Sequence, residues 1–150
     1  MQFKASGYAG SFLAYVAGFL NAAGEAVAPS SDNGMPVAGA QLQTAVATFA
    51  SGQSLSAAVD CGAARLARLE TPATFEPTSV SFMVSSDGVT FQRMDKADGT
   101  EFTVTTAVSR SITVDLAEMI GVRFIKLRGG TLGSPTTVAA DRAVRLVLVP

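Results

Sequence analysis

The side chains that could do chemistry are few, and the acidic ones gather in one stretch. Asp95 and Asp98 flank Lys96, and Glu101 follows shortly after. Carboxylates at this spacing can hold calcium in a loop. An acidic hairpin loop is more often simply solvated, so we expect a solvated loop here. We predict no metal site and no cofactor.

Nucleophilic and acid–base catalysis have little to draw on. The chain has no His and a single Cys, Cys61, so no Ser-His-Asp or Cys-His arrangement can be built. Gly129, Gly130 and Gly133 are not a phosphate-binding loop, because no Gly-Lys-Ser/Thr or GxGxxG pattern follows a strand and opens a helix. We therefore predict a protein that is not an enzyme, in which Cys61 is a buried, unreactive apolar side chain.

Basic and aromatic residues accumulate near one predicted strand. Arg123, Lys126 and Arg128 lie on or beside it, where they would meet an acidic partner or form ordinary surface ion pairs. Phe124 is out of phase with the apolar residues that follow it, so it faces outward or marks a bulge. The candidate ligand or partner surface consists of Phe91, Arg123, Phe124 and Lys126.

Glycan binding by a β-sandwich would require an exposed aromatic platform. The chain has no Trp, and both tyrosines, Tyr8 and Tyr15, precede the predicted sandwich. The remaining aromatic residues are phenylalanines, which belong to a hydrophobic core more often than to a sugar site. We predict that no such platform exists and keep a host surface glycan as the alternative ligand.

Composition bounds the class of protein. With 150 residues the chain fits one domain, with room for a short appendage. Only 15% of its residues are charged, against roughly 25% in ordinary domains. This indicates that part of the surface contacts other subunits, although an Ala-rich sequence gives a similar figure. The net charge of −1, without blocks of like charge, argues against nucleic acid as a partner.

The segment from Tyr8 to Leu20 is apolar and uncharged, and three interpretations compete. It is too short and too rich in Gly, Ala and Ser for a transmembrane helix, so we expect no membrane. A secretory signal would begin at Lys4 and end near Ala26-Val27-Ala28. The third interpretation is a short amphipathic helix, since aromatic residues recur at intervals of four, three and four residues.

On such a helix one stripe carries Tyr8, Phe12, Tyr15 and Phe19. The stripe packs either on its own domain or on a partner. The spacer that follows, Asn21 to Gly39, contains Pro29 and Pro36 and is predicted to be extended. We predict that residues 1–42 form an arm and linker, with the four aromatic residues as its assembly interface.

Residues 43–150 have the pattern of an all-β domain. Turn signals recur every 8 to 12 residues, and β-branched or apolar residues alternate with polar ones, which predicts an antiparallel β-sandwich. Nine strands are predicted, at Ala45–Ala50, Ser54–Cys61, Ala64–Glu70, Ser79–Ser85, Thr90–Met94, Glu101–Thr105, Ser111–Asp115, Val122–Leu127 and Ala143–Val149. Asp87-Gly88 and Asp98-Gly99 predict tight turns.

Finer features of this domain follow from the same pattern. Leu116 to Ile120 is predicted to form one helical turn, capped by Asp115. Val144, Leu146 and Leu148 share the core face of the last strand, with Arg145 and Val147 pointing away.

Two stretches carry a family resemblance. SVSFMVSSDGVTFQRM, residues 79–94, and GVRFIKLRGG, residues 121–130, together resemble the discoidin-like (coagulation factor 5/8 C-type) jelly roll. In that family a strand, an S-DG turn and a second strand are followed by a later strand that alternates basic and apolar residues. The resemblance implies a jelly-roll sandwich, with Ser86, Asp87 and Gly88 at the turn and Arg123 and Lys126 on the later strand.

The layout of the chain carries a second resemblance. A spacer that ends in Asn33-Gly34-Met35-Pro36-Val37 leads into ATFASGQSLSAAVDCGAARLARLETP, residues 47–72. This layout is similar to small virion proteins of tailed bacteriophages that serve as capsid decoration proteins, head fibres or tail-associated fibres. The resemblance implies a homo-oligomer in the virion, with other capsid or tail proteins as partners. A neck or tail adhesion module that binds host glycans is the alternative.

Overall fold

The computed structural model describes residues 41–150. The predicted arm helix and its stripe, Tyr8, Phe12, Tyr15 and Phe19, lie outside the described residues. Residues 41–150 contain no helix and hence none that could cross a membrane. Their nine strands are β1 (Gln43–Phe49), β2 (Val59–Asp60), β3 (Arg65–Glu70), β4 (Ser79–Ser85), β5 (Gln92–Arg93), β6 (Thr103–Thr105), β7 (Ser111–Thr113), β8 (Phe124–Gly129) and β9 (Arg142–Val149).

The strands form two antiparallel sheets that face each other as a sandwich, which confirms the predicted fold class. The first sheet has the order β1-β9-β3-β7, and the second has the order β2-β8-β4-β5, with β6 also paired to β4. The pairs are nested along the chain: first with last, second with second to last, and so inward to β4 with β5 and β6. Nested pairs that alternate between two sheets are the topology of a jelly roll.

The core lies between the two sheets and follows the predicted alternation. Val80 and Phe82 of β4 are fully buried, as are Val144 and Leu146 of β9. Val147 points away from the core, as predicted, but it is nevertheless buried. Side chains on the outer face of the first sheet cover it, so that face is not simply a solvent face.

The two Asp-Gly turns are confirmed. Asp87 accepts hydrogen bonds from the N–H groups of Val89 and Thr90, both at 2.8 Å, and Gly88 has a φ of +76°. A positive φ of this size is easily adopted by Gly, which explains the residue at this position. At the second turn Asp98 accepts from the N–H of Thr100 at 2.9 Å.

Two local predictions are wrong. Leu116 to Ile120 is a turn and not a helical turn, although Asp115 does accept a hydrogen bond from the N–H of Ala117 at 2.9 Å. So short a segment cannot offset the entropy of helix nucleation. The predicted strand Ser54–Cys61 is reduced to β2, because Ser56 bonds to Leu127 through its side chain as well as its backbone.

Candidate functional site

The outer face of β8 carries the residues for which a binding role was predicted. Ile125 and Leu127 lie in the core, whereas Phe124 and Lys126 lie on the opposite, outer face. The register of β8 against β4 is continuous, so Phe124 faces outward without a bulge. The regular alternation of side chains along β8 therefore explains why Phe124 faces outward.

Two cation–aromatic pairs form on this face. The guanidinium carbon of Arg123 lies 4.8 Å from the ring centroid of Phe124, and Nζ of Lys126 lies 4.3 Å from the ring centroid of Phe91. Contacts of this geometry are attractive because a cation favours the negative face of the ring. The structure thus brings together all four residues predicted for a ligand or partner surface. We call Phe91, Arg123, Phe124 and Lys126 the cation–aromatic face.

One end of the cation–aromatic face is fixed by its neighbours. Nε of Arg123 lies 3.3 Å from Oδ1 of Asp60, and this hydrogen bond is the main reason that the pKa of Asp60 is lowered. A Cβ added to Gly88 would lie 3.2 Å from the ring of Phe124, so the turn sits directly against that ring. Only a residue without a side chain leaves room for this contact.

A cleft of about 340 Å³ lies beside the Asp-Gly turn, between β4, β5 and the chain at Gly121-Val122. Its one carboxylate, Asp87, accepts from the N–H groups of Thr90 and Val89 and from Oγ of Ser85. These bonds lower the pKa of Asp87 to about 2, with the Thr90 bond as the largest cause. Because Oδ1 of Asp87 accepts all three of these bonds, Asp87 holds the hairpin together.

The acidic loop considered for calcium does not gather its carboxylates. Asp95 pairs with Arg93 at 2.6 Å, Asp98 accepts from Thr100, and Glu101 accepts from the N–H of Leu132 at 3.0 Å. Within residues 41–150 no three Cys, Asp or Glu side chains lie close enough to hold a metal ion. Asp95 and Asp98 therefore bond to donors of their own hairpin, and Glu101 accepts from the backbone of a separate loop at Leu132.

Arg128 is not the surface residue that was expected. Its side chain is 11% exposed and contacts Sδ of Met83 at 2.9 Å. Its Nη1 atom has no hydrogen-bond partner and lies 3.6 Å from Oε1 of Glu101. The interpretation as a surface ion pair is therefore wrong for Arg128, since loop residues near Glu101 cover this end of β8.

Sequence reasoning missed a second surface, on the outer face of the first sheet. An apolar groove of about 580 Å³ runs across β3 and β9. We define the apolar groove by its apolar lining residues, Leu42, Ala67, Val114, Leu116, Val147 and Val149. The sequence did carry a signal, because Val147 and Val149 alternate with the core residues of the same strand and give β9 two apolar faces.

Cys61 lies in the core, 3% exposed, as predicted. Burial raises the pKa of its thiol to about 11, and the nearby charge of Asp60 adds to the effect. Since the thiolate is the attacking species, we expect native Cys61 to react with a thiol reagent far more slowly than the same residue in the urea-unfolded chain. Equal labelling rates in the two states, followed by mass spectrometry, would contradict this.

Comparison with known proteins gives few matches to this chain. No family model matches it, and no curated protein matches it. Among solved structures it is similar to the SPBc2 prophage-derived protein YomS, with 14% sequence identity and a TM-score of 0.46. The match covers 73% of this chain and 96% of the YomS chain. The chain thus has a distant structural neighbour that is derived from a prophage.

Proposed function

We propose that this chain is a non-enzymatic structural protein of a bacteriophage particle, most specifically a capsid decoration protein or head fibre attached through residues 1–42. The observation that carries the proposal is the apolar groove. A sandwich that serves alone in water needs apolar side chains only between its sheets. This sandwich has a second apolar surface outside its core.

The groove has the character of a contact surface. Leu42 and Leu116 at its rim are both markedly exposed, and Val147 at its floor is buried. Single exposed apolar residues are normal, but contiguous apolar patches mark sites of interaction. The low fraction of charged residues in the chain points the same way.

Further support comes from the fold and from the state of the polar groups. Jelly rolls are common in viral capsid proteins and in lectins, so the fold fits both candidate functions and does not decide between them. Of the described carboxylates, Asp87 and Asp95 bond to donors of their own hairpin, and Glu101 bonds to the N–H of Leu132 in a separate loop. The phage setting itself is proposed from the sequence resemblance of residues 33–37 and 47–72.

Deleting residues 1–39 should separate attachment from folding. The core side chains all lie between Ala47 and Leu148, so we expect the shortened chain to fold but to lose its association with phage particles. Co-sedimentation of purified protein with particles that lack it would measure this. A full-length variant with Ser at Tyr8, Phe12, Tyr15 and Phe19 is the matched control for the loss of chain length. Undiminished co-sedimentation of both variants would refute attachment through the arm.

The alternative function is a neck- or tail-associated adhesion module for host glycans, with the cation–aromatic face as its site. Phe91 and Phe124 do lie on one outer face, but Lys126 and Arg123 sit over the ring faces on which a sugar would stack. This arrangement favours the structural function. Saturable glycan binding that Phe124→Ala abolishes without unfolding the protein would reverse the preference.

A further inference from the structure

The edges of the two sheets differ in length. The first sheet ends in β1 on one side and β7 on the other, and the second sheet ends in β2 and β5. Within residues 41–150 these edge strands have two or three residues, except β1, which has seven. Very short edge strands are one way in which proteins prevent unwanted pairing with other chains. β1 lacks this protection.

The sequence and register of β1 also lack the charges, the Pro and the bulges that protect other edges. Its sequence, QTAVATF, contains no charged residue and no Pro. Its register against β9 runs without a bulge from Gln43 to Phe49. A long, flat and uncharged edge strand is a template for another strand.

The backbone shows which residues would pair. The C=O of Thr48 accepts a hydrogen bond from the N–H of Ala57 at 2.8 Å, so Thr48 points its backbone groups away from β9. Because these groups alternate along a strand, Thr44 and Val46 point theirs to the same open edge. Among residues 41–150, only Ser56 and Ala57 bond to this edge, and they cover its end near Phe49. The part around Thr44 has no partner there.

We propose that β1 pairs with β1 of a second copy of this chain, antiparallel, about a twofold axis at Thr44. Leu42 is 66% exposed and Val46 is 53% exposed. In this register Leu42 of each copy lies opposite Val46 of the other. The interface therefore contains two Leu42–Val46 pairs, and each of these exposed apolar side chains gains an apolar neighbour. No charge opposes a like charge, because residues 42–46 are uncharged.

A second copy suits this edge because the residues that would face each other across the twofold axis are uncharged. A twofold interface places the same residues on both sides, so Leu42 meets Val46 twice, Gln43 meets Ala45 twice and Thr44 meets Thr44. The two first sheets, each of four strands, would then join into one continuous sheet. The inference goes beyond the proposed function, since it concerns the strand edge and holds whether or not the protein belongs to a phage particle.

The test is the mass of the full chain in solution, measured by sedimentation equilibrium. We expect a dimer for the natural sequence. Val46→Lys and Thr44→Lys should each raise the dissociation constant about a hundredfold, because each introduces two charges that must be desolvated against the partner. Val46→Thr, which keeps a β-branched and uncharged residue, should leave the dimer intact. Val89→Lys adds the same charge at a distant exposed site and should also leave it intact.

Hydrogen exchange at the Val46 amide gives a second readout. In the natural dimer we expect the amides of Val46 and Thr44 to exchange slowly. In the Val46→Pro variant we expect the Thr44 amide to exchange fast, because Pro removes only the edge-facing N–H at position 46 and spares the pairs with β9. A monomeric natural chain would overturn the proposal, even if the Val46 amide exchanged slowly. An oligomer whose mass Val46→Lys and Thr44→Lys both leave unchanged would also overturn it.

Discussion

Gly130→Ala is expected to lower the free energy of unfolding by about 3 kcal/mol and the melting temperature by roughly 10 °C. Gly130 has a φ of +76°, which L-residues with a Cβ adopt only at a cost of about 1–2 kcal/mol. A Cβ there would also lie 2.3 Å from the backbone O of Ser134 and 3.1 Å from the N of Thr136. Backbone atoms cannot rotate aside as a side chain can, so the loop must move.

Two other glycines separate the contributions to this loss. Gly99 has a φ of +79° with nothing within 4 Å of an added Cβ, so Gly99→Ala reports the backbone strain alone, about 1 kcal/mol. Gly133 in the same loop has neither problem, and Gly133→Ala should change stability by no more than about 0.5 kcal/mol. Urea unfolding of the three variants measures the series. A Gly130 variant no less stable than the Gly133 variant would refute the close approach at Gly130.

The sequence predicted a strand best where burial of one face in the core was the only reason for the alternation of apolar and polar residues. The bounds of β4 were predicted to the residue, because Val80 and Phe82 face the core and a strong Asp-Gly turn follows. The two-sheet sandwich and the tight turns follow from the same signals. The predicted antiparallel β-sandwich is confirmed, and its nested strand pairing fits the predicted jelly-roll type, whereas discoidin-like character stays a prediction.

Prediction was poorer where tertiary contacts override the local pattern. Arg128 looked like a surface residue because nothing in its neighbourhood reveals that Glu101, 27 residues earlier, covers it. Val147 was predicted only to point away from the core, and its burial was not foreseen, because Leu42 and Leu116 from distant parts of the chain help to form the groove around it. The spacing of residues along a short stretch cannot show which distant residues will bury a side chain.

In the candidate site, too, some features were predictable from the sequence and others required the structure. Phe124 was selected by its strand phase and Phe91 as an aromatic residue of the predicted sandwich, and the structure places them on one face. Their pairing with Lys126 and Arg123 follows from position on β8 and on the hairpin that starts at β4. The open edge of β1 required the topology, since a strand becomes an edge only through the order of its neighbours.

Glu101→Ala is expected to destabilise the protein by about 3 kcal/mol, because it leaves the charge of Arg128 buried without compensation. The side chains of Arg128 and Glu101 are 11% and 13% exposed, and Nη1 of Arg128 has no hydrogen-bond partner to take the place of the carboxylate. The exposed pair of Arg145 and Glu70, at 3.5 Å, is the control. Glu70→Ala should cost less than about 1 kcal/mol.

The charge explanation can be separated from simple loss of packing. Arg128→Met removes the buried cation and keeps an unbranched side chain beside Met83, but it leaves the Glu101 carboxylate without its cation. We expect it to cost about 1–2 kcal/mol, less than Glu101→Ala, because the carboxylate keeps the hydrogen bonds from the N–H of Leu132. In that background Glu101→Ala should lose only about 1 kcal/mol, chiefly the hydrogen bonds from the N–H of Leu132. Urea unfolding of the two single variants and the double variant completes the cycle. If Glu101→Ala costs the same with Arg128 and with Met at that position, the two side chains are not coupled, and the end of β8 is held by packing alone.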